Sequence, residues 1–335
     1  MDTANRRLLL RARPDGIAGP EHFLEDAVPL RHPTDNEVLV ETLYISIDPA
    51  MRVWVSENPG YVPRAEIGDV MRAGGIGRVI ESKSDSLKPG DLVQGRMGWQ
   101  THPTLRAAET QKLDPQIGSP EEWIGPLGTT ALTAYFGVRD VGALRPNETL
   151  LVSGAAGGVG QIAAQIGKLD ACRVVGIAGG AEKCGFLRES LNLDAVIDYK
   201  SEPDLAAAIG RACPDGIDVF FDNVGGPTLD AALLHLRIGA RVVVCGRISQ
   251  TASSSLYGVR NLGLLIGKRA RMQGFVVFDY HDRYREARSW LAAQVRAGRL
   301  QQRLHVINGL ERAPDGLGML FRGENHGKLV VKVAE

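Results

Sequence analysis

The chain has 335 residues, 39 Lys plus Arg against 39 Asp plus Glu, 44% hydrophobic and 23% charged residues, a balance that excludes a disordered chain and is enough for two domains or one large α/β domain with a second lobe. A formal net charge of zero gives no overall field to hold a polyanion or an anionic bilayer, so neither nucleic acid nor a membrane is an expected partner. The apolar run near the N-terminus, Leu8 to Leu10, is too short for a signal-peptide core or a membrane span, and a cytoplasmic protein is expected.

From Arg6 to about Leu113 the short runs EVLVETLYISI, GIGRVIES and GDLVQG, broken by Pro, Gly and Asp clusters, predict antiparallel β structure. Lys88-Pro89-Gly90-Asp91 sets a fixed φ before a residue that tolerates positive φ, which suits a type II turn. Near Gly125 the texture changes. LGTTALTAYFGVRDVGAL reads as a helix, and beyond it strand candidates ETLLVSG, CRVVGIAG, AVIDY, IDVFFDNVG, ARVVVCG and MQGFVVF alternate with helical stretches, the signature of a parallel sheet covered on both faces. From Arg299 the runs LHVI and KLVVKVA resemble the first third again. The expected division is therefore a substrate domain over residues 1–125, a doubly wound α/β nucleotide domain over 126–298 inserted in it, and a return to the first over 299–335, with the active site between the lobes.

The four cysteines, Cys172, Cys184, Cys213 and Cys245, form no C-x-x-C pair and read as buried free thiols; the seven histidines show no metal-ligand spacing, so no metal site is expected. The strongest chemical signal is ETLLVSGAAGGVGQIAAQIGK, where an apolar strand runs into Gly154, Gly157 and Gly160 and then a helix. Glycines there let the backbone approach a pyrophosphate, and the helix N-terminus offers free N–H groups and positive dipole. The spacing departs from strict G-x-G-x-x-G, and a close helix-on-sheet contact explains Gly160 without a ligand but not the whole cluster. After the second strand an NAD enzyme commonly places an acid on the ribose 2′-OH. Here Ala178, Gly179 and Gly180 leave room instead, and Lys183 arrives on the first helical turn, where it either neutralises a 2′-phosphate or solvates a surface helix. NADPH is the expected cofactor.

The motifs IDPAMR from Ile47, LTAYFG from Leu132, AAGGVG from Ala155, VVGIAGGAEK from Val174, FDNVGG from Phe221, CGRIS from Cys245, RMQGFVV from Arg271 and GENHGK from Gly323, in that order, resemble the zinc-independent branch of the medium-chain dehydrogenase/reductase superfamily. More narrowly, they resemble its 2-alkenal and prostaglandin/leukotriene-type double-bond reductases. The resemblance implies a GroES-like, mainly-β substrate domain holding an inserted Rossmann domain, and a homodimer joined through edge strands. It implies that Lys183 and Tyr199, with Gly179 beside them, hold the 2′-phosphate. Gly157, Val159 and Gly160 would face the pyrophosphate, and Asn223, Cys245, Gly246, Ile248, Phe275, Val277 and Asn325 would line the rest of the cofactor path. Phe275 and Val277, read as strand residues, also suit a plain core role.

No cysteine precedes Cys172, so the early cysteine ligand of the superfamily's zinc alcohol dehydrogenases is missing, and reduction of a conjugated C=C is the better match to a site without a Lewis acid. Hydride delivered to the β-carbon of an enal or enone builds negative charge on the carbonyl oxygen, which needs hydrogen-bond donors. Relatives of this kind place tyrosines where this chain has Ala50 and Gly267. Tyr257 and Tyr61 are the substitute catalytic candidates, with the cofactor ribose 2′-OH as a third, and Arg52 reads as an anion partner or as half of a surface salt bridge. NADPH:quinone reduction is an alternative on the same fold, and an NADPH-binding regulatory or structural protein is the alternative from another class.

Overall fold

The computed structural model describes residues 4–57, 60, 62–252 and 256–334. The described residues pack into two units. The first takes those up to Ile124 with Leu304–Asn325 and residues 329–334; the second takes Gly125–Arg303 and His326–Lys328.

In the first unit β1 (Ala4–Leu10) and β2 (Phe23–Pro29) form an antiparallel hairpin. A seven-stranded sheet is built around β3 (Glu37–Ser46), β4 (Gly75–Ser82), β5 (Leu92–Gly95), β6 (Thr104–Arg106) and β7 (Gln111–Lys112). β3 reads EVLVETLYIS and is buried over most of its length, because it carries neighbours on both edges: β4 along one side, and β6 and a late strand along the other. The Lys88–Asp91 turn forms as the sequence predicts, with Gly90 at φ +94° and the Asp91 amide donating to the Lys88 carbonyl at 3.0 Å. Leu8, Leu10, Ile45, Ile47, Met51 and Trp99 share one core with Leu317 and Val331 from the C-terminal part of the chain.

The second unit holds β8 (Thr149–Ser153), β9 (Arg173–Ala178), β10 (Ala195–Asp198), β11 (Ile217–Asp222), β12 (Leu236–Val244) and β13 (Arg271–Gly274). All pair in parallel, in the order β10-β9-β8-β11-β12-β13. That is the doubly wound order of a Rossmann-type sheet. β8 and β11 are buried at every position, which is why they read as near-continuous apolar runs rather than alternating ones. The helix Gly160–Leu169 buries Ile162, Ala163, Ala164 and Ile166; each isoleucine so removed from water contributes about 1.5–3 kcal/mol. Asp204 caps the helix Leu205–Ala212 by accepting from the Ala207 amide at 2.9 Å, a contact worth about 1 kcal/mol.

The chain leaves this unit at Arg303, five residues past Gly298, for a local reason. Gln165 donates to the Gln301 carbonyl at 2.7 Å and accepts the Gln301 amide at 2.9 Å, while Gln161 does the same for Arg303 at 3.2 and 2.8 Å. Two side-chain amides on one helix thus satisfy the backbone of an extended segment, as a neighbouring strand would. β14 (Leu304–Asn308) and β15 (Lys328–Lys332) then complete the first unit's sheet, β15 lying antiparallel to β3.

Two expectations need correction. The strand read through MQGFVVF stops at Gly274, because its partner among the described residues, β12, ends at Val244 directly opposite. Phe275 therefore lies outside the strand, and Val277 opens a 3-10 turn. Arg52 is not on the surface: it is 7% exposed, and its guanidinium donates to the carbonyls of Gly16 at 2.5 Å and Pro14 at 2.9 Å. Burial lowers its pKa.

Candidate functional site

Parallel strands end at one edge of their sheet, and ligands of open α/β sheets sit beyond that edge where the strand order reverses. Here the order reverses at β8, so the crevice lies between the loops that follow β8 and β11. Every cofactor residue predicted in the second unit follows the C-terminal end of a strand. Gly157, Val159 and Gly160 follow β8; Gly179 and Lys183 follow β9; Tyr199 follows β10; Asn223 follows β11; Cys245, Gly246 and Ile248 follow β12; Phe275 and Val277 follow β13. Asn325 belongs to the first unit, between the helix Ala313–Arg322 and β15.

The loop after β8 is closed by glycine chemistry. Gly154 has φ +59°, the Gly157 amide donates to the Gly154 carbonyl at 3.0 Å, and a Cβ on Gly160 would stand 2.2 Å from that carbonyl oxygen and 2.8 Å from Ala155 Cα. No side chain fits there, so backbone rather than side chain lines the start of the helix Gly160–Leu169. A cradle of this kind accepts an anion against helix N–H groups.

Across the crevice, Asp222 organises the facing loop. Fully buried, its carboxylate accepts from the Ser153 hydroxyl at 2.7 Å, the Val224 amide at 3.0 Å and the Gly225 amide at 3.0 and 3.1 Å. Burial raises its pKa against these donors. Ser153 Oγ accepts the Asn223 amide at 2.9 Å, and Asn223 Nδ2 donates to the Ser153 carbonyl at 2.7 Å. The Asp222 carbonyl accepts from Cys245 and Gly246 at 2.9 and 3.0 Å. One residue therefore ties together the loops after β8, β11 and β12. Gly225 and Gly226 both take positive φ, +70° and +56°, which is what the double glycine after Asn223 permits.

At the ends of β9 and β10, Asp198 Oδ1 accepts the Gly180 amide at 2.8 Å and the Lys200 amide at 3.0 Å. The Tyr199 ring lies over Gly179, where an added Cβ would stand 2.6 Å from the ring. Burial, and then the Lys200 ammonium, hold the Lys183 pKa below the usual lysine value. Two like charges beside a half-exposed aromatic ring could hold a phosphate.

The catalytic candidates fare differently. Tyr61 lies outside the described residues. Tyr257 donates its hydroxyl to Asp230 Oδ2 at 2.8 Å; Asp230 also accepts the Arg260 and Asn261 amides at 3.0 and 2.8 Å. The bond to Asp230 raises the Tyr257 pKa, making the phenol a weaker acid. Gly267, in the helix Leu264–Lys268, has open space where a Cβ would be. The half-buried Phe275 ring stands against Gly137, whose Cβ would meet it at 2.8 Å and Phe221 at 2.5 Å, and Val277 is buried, 7% exposed. The thiols are free, Cys172, Cys184 and Cys213 buried and Cys245 only half-buried. Burial pushes Cys213 to about 11 and Cys245 to about 12, so neither is a thiolate near neutral pH.

Sequence reading missed Ser153, Asp222, Asp198 and Lys200. A signal for Asp222 was present: an acid closing an otherwise apolar strand just before two glycines must find internal donors.

Residues 6–113 match the model of an N-terminal domain of oxidoreductase, and residues 158–293 match that of a zinc-binding dehydrogenase. The NADPH-dependent curcumin reductase of Escherichia coli is 40% identical over 336 residues, 98% of this chain and 97% of the relative. The NADP(+)-dependent 2-alkenal reductase of Nicotiana tabacum is 40% identical over 301 residues, 89% of this chain and 88% of the relative. Among solved structures, CurA from Vibrio vulnificus in complex with NADPH superposes with a TM-score of 0.93 at 36% identity, covering 98% of this chain and 99% of that one.

Proposed function

The chain belongs to the medium-chain dehydrogenase/reductase superfamily, in its branch of NADP-dependent double-bond reductases, and from that premise we propose that it reduces the C=C bond of α,β-unsaturated aldehydes and ketones with NADPH and without a metal. The observation that carries the reading is the crevice at the reversal of strand order, with a glycine cradle on one side, a loop fixed by Asp222 on the other, and Lys183, Tyr199 and Lys200 at the adjacent strand ends.

In this reading Gly157, Val159 and Gly160 offer backbone to the cofactor's pyrophosphate. Lys183, Lys200, Tyr199 and Gly179 hold the 2′-phosphate, and Asn223, Cys245, Gly246 and Ile248 line the path toward the reacting ring, with Phe275, Val277 and Asn325 completing it. When bound, NADPH supplies a hydride for the substrate β-carbon. The protein's part is to fix the ring's orientation through the Asp222-centred loops and to stabilise the enolate oxygen until a proton reaches the α-carbon. Because the Tyr257 proton is held by Asp230, Tyr61 is the tyrosine assigned to that oxygen. A cytoplasmic homodimer joined through edge strands of the second unit's sheet belongs to the same proposal.

Quinone reduction, on the same fold and with the same hydride donor, is the second reading; the lack of a phenol at Ala50 and Gly267 together with the engaged Tyr257 favours instead a cofactor-binding protein without turnover. Steady-state NADPH oxidation with a medium-chain enal, a long-chain enone and a quinone separates the two. The expected result is the highest kcat/KM with an enal or enone, yielding the saturated carbonyl and no alcohol. Tight NADPH binding with no turnover of any conjugated carbonyl would refute the assignment.

A further inference from the structure

At the opposite edge of the second unit's sheet lies an open cavity of about 250 Å³ lined by Ala143, Gly239, Ala240 and four arginines, Arg145, Arg241, Arg269 and Arg271, with no acidic residue in its wall among the described residues. Arg145 precedes β8 and Arg271 opens β13, so the cavity borders the N-terminal ends of the strands, away from the cofactor crevice. β12 bulges there: Ile217 faces Leu236 but Val219 faces Arg241, and the extra residues turn at Gly239 with φ +77°. Bulges of this kind re-aim side chains beside binding sites.

From this wall we infer a second anion site, for a small phosphate chain such as a diphosphate. The Glu148 carboxylate beside it is already engaged: it pairs with Arg241 through both oxygens, at 2.9 and 2.5 Å, and its Oε2 accepts the Arg145 amide at 2.9 Å. Arg271 gives one nitrogen to the Val141 carbonyl at 2.7 Å and Arg269 one to Gly267 at 3.3 Å. Arg145, Arg269 and Arg271 are exposed and none of them forms an ion pair among the described residues, although the charge of Arg145 is felt by Glu148, so this wall is rich in positive charge. Arg269 also sits in left-handed backbone, φ 50°, at the end of the helix Leu264–Lys268. Glycine or asparagine is the residue that position favours, so an arginine is kept there at a conformational cost. Several guanidinium groups suit the fixed, densely charged oxygens of phosphate. The volume falls below that of drug-sized ligand pockets, and no aromatic side chain is present to stack on a base; these features point to a phosphate chain rather than a nucleotide.

The test is calorimetric titration of the NADPH-saturated, full-length protein with inorganic pyrophosphate at constant ionic strength, beside sulfate and citrate. Pyrophosphate should bind saturably and tighter than either control. Arg269→Gly and Arg145→Gln should each weaken it at least fivefold while leaving the Kd for NADPH unchanged. Arg269→Gly relieves the left-handed backbone, so its melting temperature in the absence of anion should hold or rise, separating lost binding from lost structure. No saturable binding, or equal binding by wild type and both variants, would overturn the site; sulfate or citrate binding as tightly as pyrophosphate would overturn the phosphate-chain assignment.

Discussion

Replacing Lys183 by Ala tests how the protein selects its cofactor. The lysine is half-buried, burial and the Lys200 ammonium depress its pKa below 10.5, and a 2′-phosphate would relieve both stresses. A hydrogen bond to a charged group is worth about 1.5–3 kcal/mol. Lys200 survives the substitution and keeps part of the attraction, which places the loss near the low end, about 1.5–2 kcal/mol. At 1.4 kcal/mol per decade that is a roughly 10- to 30-fold rise in the Kd for NADPH, with the Kd for NADH changed by less than about twofold. Equilibrium titration of nicotinamide fluorescence measures both. The pH dependence supplies a second arm. The attractive species is the ammonium, present below the pKa of Lys183 and lost as pH rises through it, and that pKa is depressed. The wild-type preference for NADPH should therefore weaken at a pH below the usual lysine range, while the variant lacks this component. An unchanged NADPH-to-NADH ratio in the variant would refute the role of Lys183.

Four further outcomes are expected. Gly160→Ala forces backbone atoms apart at 2.2 and 2.8 Å and should cost about 1–3 kcal/mol; thermal denaturation should show a fall of several degrees with weaker NADPH binding, and a melting temperature within a degree of wild type would contradict the cradle. Ser153→Ala leaves the Asn223 amide without its acceptor and Asp222 with one donor fewer, a loss of about 1–3 kcal/mol. Because the folded Asp222 pKa is raised, the folded state binds more protons than the unfolded one, so this group's contribution falls as pH rises from its ordinary value of 3.8 through the folded value; Ser153→Ala should steepen that fall in a pH series of denaturant midpoints. Prolonged dialysis against EDTA should leave kcat unchanged, and recovery of lost activity by zinc would defeat the metal-free mechanism. Gly267→Tyr introduces a phenol where a Cβ meets nothing and should raise kcat for an enone by about tenfold, short of the roughly hundredfold typical of a positioned acid; no increase would mean that this position does not reach the enolate.

The parallel sheet was legible because its central strands are largely apolar, and the glycine-rich turn because three glycines stood between such a strand and a helix. What could not be read were partners set by tertiary contact. Asp222 and Ser153 lie 69 residues apart and meet only because β8 and β11 are neighbours. The end of β13 was misread because FVV has strand character, whereas ladder pairing depends on where β12 stops. Arg52 was misread because arginine usually faces water, and its burial rests on two carbonyls of the segment near Gly16. Tyr257 looked available because nothing local marks Asp230, 27 residues earlier, as its acceptor.

The paired glutamines of the helix Gly160–Leu169 bear on how the nucleotide-binding half could be cut loose or transplanted. Gln161 is fully buried and Gln165 nearly so, and the backbone of Gln301 and Arg303 completes both amides. A fragment trimmed ahead of Gln301 would leave two carboxamides without these partners on the very helix whose first turn is proposed to meet the cofactor, whereas one extended through Arg303 carries its own closure. A graft of this half onto another host should therefore be spliced after Arg303, and in a shorter version the weakened helix should surface first as poorer dinucleotide retention.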